Sequence, residues 1–165
     1  GCDRDPVDIG TPEGRLLLSS YVWVDDVPRF AALAHAFEVA SRVPADIVRQ
    51  DAVAFVEALR PVPGTTTLLW HSAFWFYLDA DQRRRLASAI AGVAAAATPS
   101  AQVAHASWEW PSDHRSVERP FALVLRRWDG DTRHGEPVLL ARGRSHGDAV
   151  LDAGSQVLEH DPLLD

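Results

Sequence analysis

Apolar positions along this chain repeat with two different periods, and the switches between them divide it into helices and strands. Thr11, Pro12 and Glu13 make a helix start, an N-cap followed by proline at the first helical position, and the helix runs through Leu16, Leu17 and Leu18 towards Trp23. Asp25 or Asp26 caps the next helix, with Pro28 just inside it. There Phe30, Leu33, Ala34 and Phe37 follow the helical spacing, which predicts one face packed inward as far as about Val43, before Pro44. A short strand, Asp46 to Arg49, leads to Asp51, and Val53, Val56 and Leu59 fall on one side of a following helix. Pro61, Pro63 and Gly64 then break the chain.

The next stretch, Thr65 to Leu78, organises the rest. Its first half is an apolar, β-favouring run, which predicts a strand buried on both faces. Its middle delivers His71 and Ser72 where that strand should end, and the aromatic run Phe74 to Tyr77 follows, read with Trp70 as core under the next helix. Asp79 caps that helix, whose apolar stripe is Leu86, Ala89, Ile90 and Val93 and which ends near Thr98 and Pro99. Val103 to Trp110 reads as a strand and Pro111 to Pro120 as a polar loop. Phe121 to Trp128 and Pro137 to Gly143 flank the turn signal Asp129-Gly130-Asp131 and form a predicted hairpin. From Ala153 the chain turns acidic, which predicts a weakly ordered tail over 153–165. Alternating strands and helices imply one α/β domain over 1–152: a mostly parallel sheet flanked by helices, with an antiparallel hairpin at one edge.

Composition narrows the partners. With 165 residues, 47% hydrophobic and 24% charged, the chain is of ordinary globular make-up, and its net charge of −7 argues against nucleic acid or an anionic membrane surface. No secretory signal heads it and the alanine-rich tract Leu86 to Ala97 is too short to span a bilayer, so a cytoplasmic setting is expected. Cys2 is the sole cysteine, which rules out an internal disulfide and a cysteine-based metal cluster. The absence of methionine and the opening on Gly1-Cys2-Asp3, which reads as the end of a strand, lead us to expect the C-terminal portion of a longer protein.

In open α/β sheets, ligands bind outside the carboxyl ends of the strands. Asp3, Asp51 and the pair His71-Ser72 fall at such ends, with Glu109 a further candidate. Asp3 and Asp51 suit ribose hydroxyls and an adenine amine; equally, Asp3 shapes a turn and Asp51 caps the helix after it, and the roles are compatible. His71 has the pKa range of a general base, or is a structural histidine. Ser72 lacks the Gly-x-Ser-x-Gly elbow of a hydrolase. The histidines His35, His71, His105, His114, His134, His146 and His160 form no i, i+4 pair, and Asp3, Asp5 and Asp8 lack the rest of a calcium loop, so no metal is expected. Arg83-Arg84-Arg85 reads as a solvated helix face.

Several blocks together carry a resemblance: Gly1 to Asp8, Tyr21-Val22-Trp23 with Asp25-Asp26, Gln50-Asp51-Ala52, Leu69 to Ser72 through Tyr77-Leu78, and Leu140-Ala141-Arg142 followed by His146-Gly147. They resemble the C-terminal half of the bacterial 2332 domain-of-unknown-function family, which in turn is similar to S-adenosylmethionine-dependent methyltransferases. The resemblance implies a partial Rossmann-like domain whose first strand and glycine loop are missing. It implies S-adenosylmethionine as cofactor, with Asp3 on the ribose side, Asp51 and Ala52 on the adenine side, and His71 and Ser72 as catalytic candidates near the methyl group of a small-molecule acceptor. A missing first strand would leave an exposed sheet edge, hence an expected homo-oligomer. The alternative is a non-catalytic Rossmann-like binding or scaffold module.

Overall fold

The computed structural model describes residues 1–110, 120–131, 135–144 and 150–158, the side chains of 151–153 excepted. The expected loop 111–119, His114, His134, His146, Gly147, His160 and the tail beyond Leu158 lie outside the described residues. The chain divides into two compact units, Gly1–Phe55 and Val56–Asp165. The strands fall correspondingly into separate sheets.

In the first unit, Asp8 organises the chain ahead of α1 (Pro12–Ser20). Its Oδ1 accepts from the Gly10 N–H at 2.8 Å, and its carbonyl accepts from the Thr11 N–H and hydroxyl. The Thr11 hydroxyl in turn accepts from the Gly14 N–H at 3.1 Å, the expected N-cap. Gly14 is buried here because a Cβ would run into the Asp8 carbonyl oxygen. The same cap logic selects Asp26 for α2 (Val27–Arg42), where its Oδ1 accepts from the Arg29 N–H. The predicted inward stripe of α2 is only partly realised: Leu33 and Phe37 are half-buried, Phe30 is exposed, and no residue of the helix is fully buried. So short a stretch of chain has little with which to cover two helices. β1 (Cys2–Asp3) and β2 (Val48–Arg49) pair in parallel, Cys2 beside Val48 and Asp3 beside Arg49. Asp51 then caps α3 (Ala52–Ala58), its Oδ1 accepting from the Val53 N–H at 2.9 Å.

The second unit holds β3 (Thr65–Ser72), α4 (Ala80–Ala95), β4 (Ala101–Glu109), β5 (Phe121–Trp128), β6 (Val138–Gly143) and β7 (Val150–Val157). These strands form one sheet in the order β3-β4-β5-β6-β7. Only β3 and β4 run parallel; β4-β5, β5-β6 and β6-β7 are antiparallel, so the sheet is mixed and not the mostly parallel one expected. A parallel pair needs a long crossover, which α4 supplies between β3 and β4 alone. The predicted hairpin of β5 and β6 is present, turning at Gly130 with φ +91°. The sheet continues past it, because Ala153 to Val157, expected in the tail, pair with β6.

Two burial expectations are corrected. Among the described residues β3 has one neighbouring strand, and one of its faces is exposed, so it is not a strand buried on both faces. Its residues alternate, so Leu69 and His71 turn inward while Leu68 and Trp70 remain 58% and 56% exposed. Trp70 is therefore not core. The strand buried on both faces is β4, in which Ala101, Val103, Ala104, His105, Ala106, Ser107 and Glu109 are all buried. α4 matches its predicted stripe: Leu86, Ala89, Ile90 and Val93 are buried, and Asp79 and Gln82 form a capping box at its start. Each large apolar side chain buried this way contributes about 1.5–3 kcal/mol. Among the described residues no helix is long and apolar enough to cross a membrane.

Candidate functional site

Period-two alternation places Ala101, Val103, His105, Ser107 and Glu109 on one face of β4, and every one is buried. The parallel register sets His71 of β3 beside Ser107, and the antiparallel register sets Arg126 of β5 beside His105. Cross-strand neighbours share a face, so His71, His105, Ser107, Glu109 and Arg126 form one polar strip inside the sheet. His105, Ser107 and Arg126 are each only 1% exposed. Such burial is tolerable only where hydrogen bonds replace water.

Glu109 makes most of those bonds. Its Oε1 lies 2.8 Å from His71 Nδ1 and accepts the N–H groups of Phe74 at 2.8 Å and Trp75 at 3.2 Å. On the far side of the His71 ring, Nε2 lies 2.9 Å from His105 Nε2. Trp75 stacks on His71 with ring centroids 5.8 Å apart, and Phe74 meets the same ring edge-on. Both aromatics come from the turn after β3, where Trp75–Tyr77 form a single 3-10 turn. Chain direction changes at Ala73, a non-glycine residue with φ +49° whose N–H still bonds the Trp108 carbonyl at 3.0 Å. A left-handed alanine is strained, and it persists because the bonds to Glu109 hold the residues beyond it. Arg83 of α4 donates from Nε to the Trp75 carbonyl at 3.2 Å. Of the arginine run expected to be solvated, Arg83 thus helps to tie down the turn, while Arg84 and Arg85 are exposed.

Electrostatics fix the state of His105. Burial above all, then repulsion from His71 and from Arg126, lowers its pKa to about 3, so the ring is neutral at physiological pH. Its Nδ1 and the Ser107 hydroxyl have no hydrogen-bond partner among the described residues.

The predicted site residues divide between the two units. His71 and Ser72 are in the second unit, on opposite faces of β3: His71 is 15% exposed in its side chain with both ring nitrogens engaged, while Ser72 is exposed. Asp3, Asp51 and Ala52 belong to the first unit, Ala52 as the opening residue of α3. Asp3 ends β1 and accepts the Asp5 N–H through Oδ1 at 2.8 Å. Asp51 uses Oδ1 as the helix cap. Both carboxylates act on the same thiol: burial first, with Asp3 and Asp51 contributing, pushes the Cys2 pKa up. Asp5 instead pairs with Arg49 at 2.7 Å and Asp8 shapes the α1 cap.

Sequence reasoning named Glu109 only as a further candidate and missed His105 and Arg126. The signal in the sequence is the polar trio His105, Ser107 and Glu109 at i, i+2 and i+4 in an alanine-rich strand, a period of two that helical spacing does not reveal.

A family profile described as an uncharacterized protein conserved in bacteria (DUF2332) matches residues 1–151. No curated protein and no solved structure matches the chain.

Proposed function

Because the chain belongs to the DUF2332 family of uncharacterised bacterial proteins, we propose that it is the C-terminal portion of a methyltransferase-like, Rossmann-related protein that binds S-adenosylmethionine. One observation carries this reading: the adjacent parallel strands β1 and β2 deliver two acids, Asp3 and Asp51, to their carboxyl ends. Each acid makes its local backbone bond through Oδ1, which leaves Oδ2 for a ribose diol at Asp3 and an adenine amine at Asp51. Ala52, at the start of α3, would lie against the base. These residues fit the nucleoside end of the cofactor; no Gly-x-Gly turn follows a strand in this sequence to cradle the methionine end.

Bound cofactor would supply an electrophilic methyl group, and the protein's task would be to place a small-molecule acceptor in line with it. The catalytic candidates of this reading are His71 and Ser72, of which Ser72 is exposed. His71 would serve as base only if its Nε2 were released from His105, so its role in the geometry described is to hold the rim. A cytoplasmic setting and self-association through the sheet edge that a missing first strand would leave belong to the same reading.

Calorimetric titration of the intact protein with S-adenosylmethionine tests it, alongside Asp3→Asn and Asp51→Asn. Asparagine is as good an N-cap as aspartate, so Asp51→Asn removes the charge and keeps α3. Loss of a charged hydrogen bond to ligand predicts roughly tenfold or greater weakening for each variant. No binding by the intact protein, or unchanged affinity in both variants, sinks the assignment. The rival, a non-catalytic module, is favoured by the inward engagement of both His71 nitrogens, and a folded intact protein that ignores the cofactor would establish it.

A further inference from the structure

Donor and acceptor accounting around the buried strip decides where its protons sit. Glu109 Oε1 already accepts two backbone N–H groups, which can only donate, so it carries no proton and His71 must offer it Nδ1–H. One proton then lies between His71 Nε2 and His105 Nε2, and two arrangements satisfy that bond. In the first, His71 is neutral and bare at Nε2, and His105 donates from Nε2–H, leaving its own Nδ1 a bare acceptor. In the second, His71 is a cation donating from Nε2–H, and His105 carries its proton on Nδ1.

The second arrangement buries an N–H donor with no acceptor among the described residues, since His105 Nδ1 has no partner. It also adds a positive charge to a face that already holds the buried Arg126 beside His105. An unmet buried N–H is the rarer defect in proteins, and an under-used acceptor is better tolerated.

We propose that Glu109, His71 and His105 form a proton-ordered latch, Glu109 carboxylate to Nδ1–H of His71 and Nε2 of His71 to Nε2–H of His105, which holds the left-handed turn at Ala73 and so positions the rim residue Ser72. His71 and Glu109 are positioning residues here, acting through the turn. His71 joins the latch to the buried sheet, and Glu109 joins it to the backbone of Phe74 and Trp75. The strained φ at Ala73 is an independent mark of a turn held from outside itself. The latch does not depend on cofactor binding, so failure of the methyltransferase reading leaves it standing.

Nitrogen-15 NMR of the histidine rings in the intact protein near pH 7 reads the tautomers directly. Nδ1–H on His71 and Nε2–H on His105 are expected. A doubly protonated His71, or a proton on its Nε2 alone, overturns the assignment, and this measurement needs no variant to fold. In Glu109→Gln the amide oxygen takes the Oε1 position, facing His71 Nδ1–H and both backbone N–H groups, because an amide nitrogen there would meet only donors. The His71 and His105 tautomers should then persist, while the Phe74 and Trp75 amides should exchange with solvent roughly tenfold faster, as a charged acceptor becomes neutral. A tautomer switch at His71, or unchanged exchange of both amides, in a folded Glu109→Gln protein would overturn the latch.

Discussion

Replacing Glu109 with alanine should be among the most damaging single changes in the second unit. The side chain is 3% exposed, and one of its oxygens meets three donors: His71 Nδ1 and the N–H groups of Phe74 and Trp75. Truncation strands all of them, and each buried donor without a partner costs about 1–3 kcal/mol. The costs do not sum fully, because the His71 side chain is 15% exposed and water can reach part of the vacated space. Breaking a buried, hydrogen-bonded ion site typically costs about 3–5 kcal/mol, and we expect Glu109→Ala to fall in that range. Glu109→Gln keeps an oxygen for all three donors but loses charge assistance, so about 1–2 kcal/mol is expected. Urea unfolding followed by tryptophan fluorescence reads both, since Trp70, Trp75, Trp108, Trp110 and Trp128 lie in the second unit and only Trp23 in the first. The urea dependence of stability should be unchanged between proteins, so that midpoints compare directly. An alanine variant within about 1 kcal/mol of the parent would refute the reasoning, as would a glutamine variant that costs as much as alanine.

Two other outcomes follow from the same region. Ala73→Gly should stabilise the protein by about 0.5–1 kcal/mol, because the left-handed backbone at φ +49° costs alanine more than glycine loses in unfolded-state entropy; a destabilised variant in thermal unfolding would contradict this. His105 titrates near 3 when folded and near its ordinary 6.5 when unfolded, so between those values the unfolded chain binds more protons and stability must rise with pH. Its contribution is complete above about pH 6.5 and is lost as pH falls towards 3, at up to about 1.4 kcal/mol per pH unit. Denaturation across that window should be distinctly flatter in His105→Gln, and an equal slope in both proteins would show that His105 is not held neutral.

Local chemistry was legible wherever one residue type solves one local problem. Thr11, Asp26, Asp51 and Asp79 all cap helices as their sequence context predicts, because an N-cap needs only a short acceptor side chain and the two or three residues after it. The α4 stripe was readable for a related reason: its period depends on the helix alone. The α2 stripe had the same period yet is half-buried at best, since periodicity says which side is apolar and not whether anything covers it.

The sequence by itself determined where helices start, that β5 and β6 form a hairpin, and that His71 and Ser72 end a strand. Tertiary structure alone decided that this strand has an exposed face, that its sheet is mixed, and that His71 and Ser72 face opposite ways into different company. It also chose the companions of His71, bringing Glu109 and His105 from β4 and Arg126 from β5 into one buried strip. The physical reason is range. Caps and stripes arise from bonds within a few residues, whereas the strip depends on pairing registers between segments 34 to 38 residues apart for His71 and its hydrogen-bond partners, and no local pattern encodes a register.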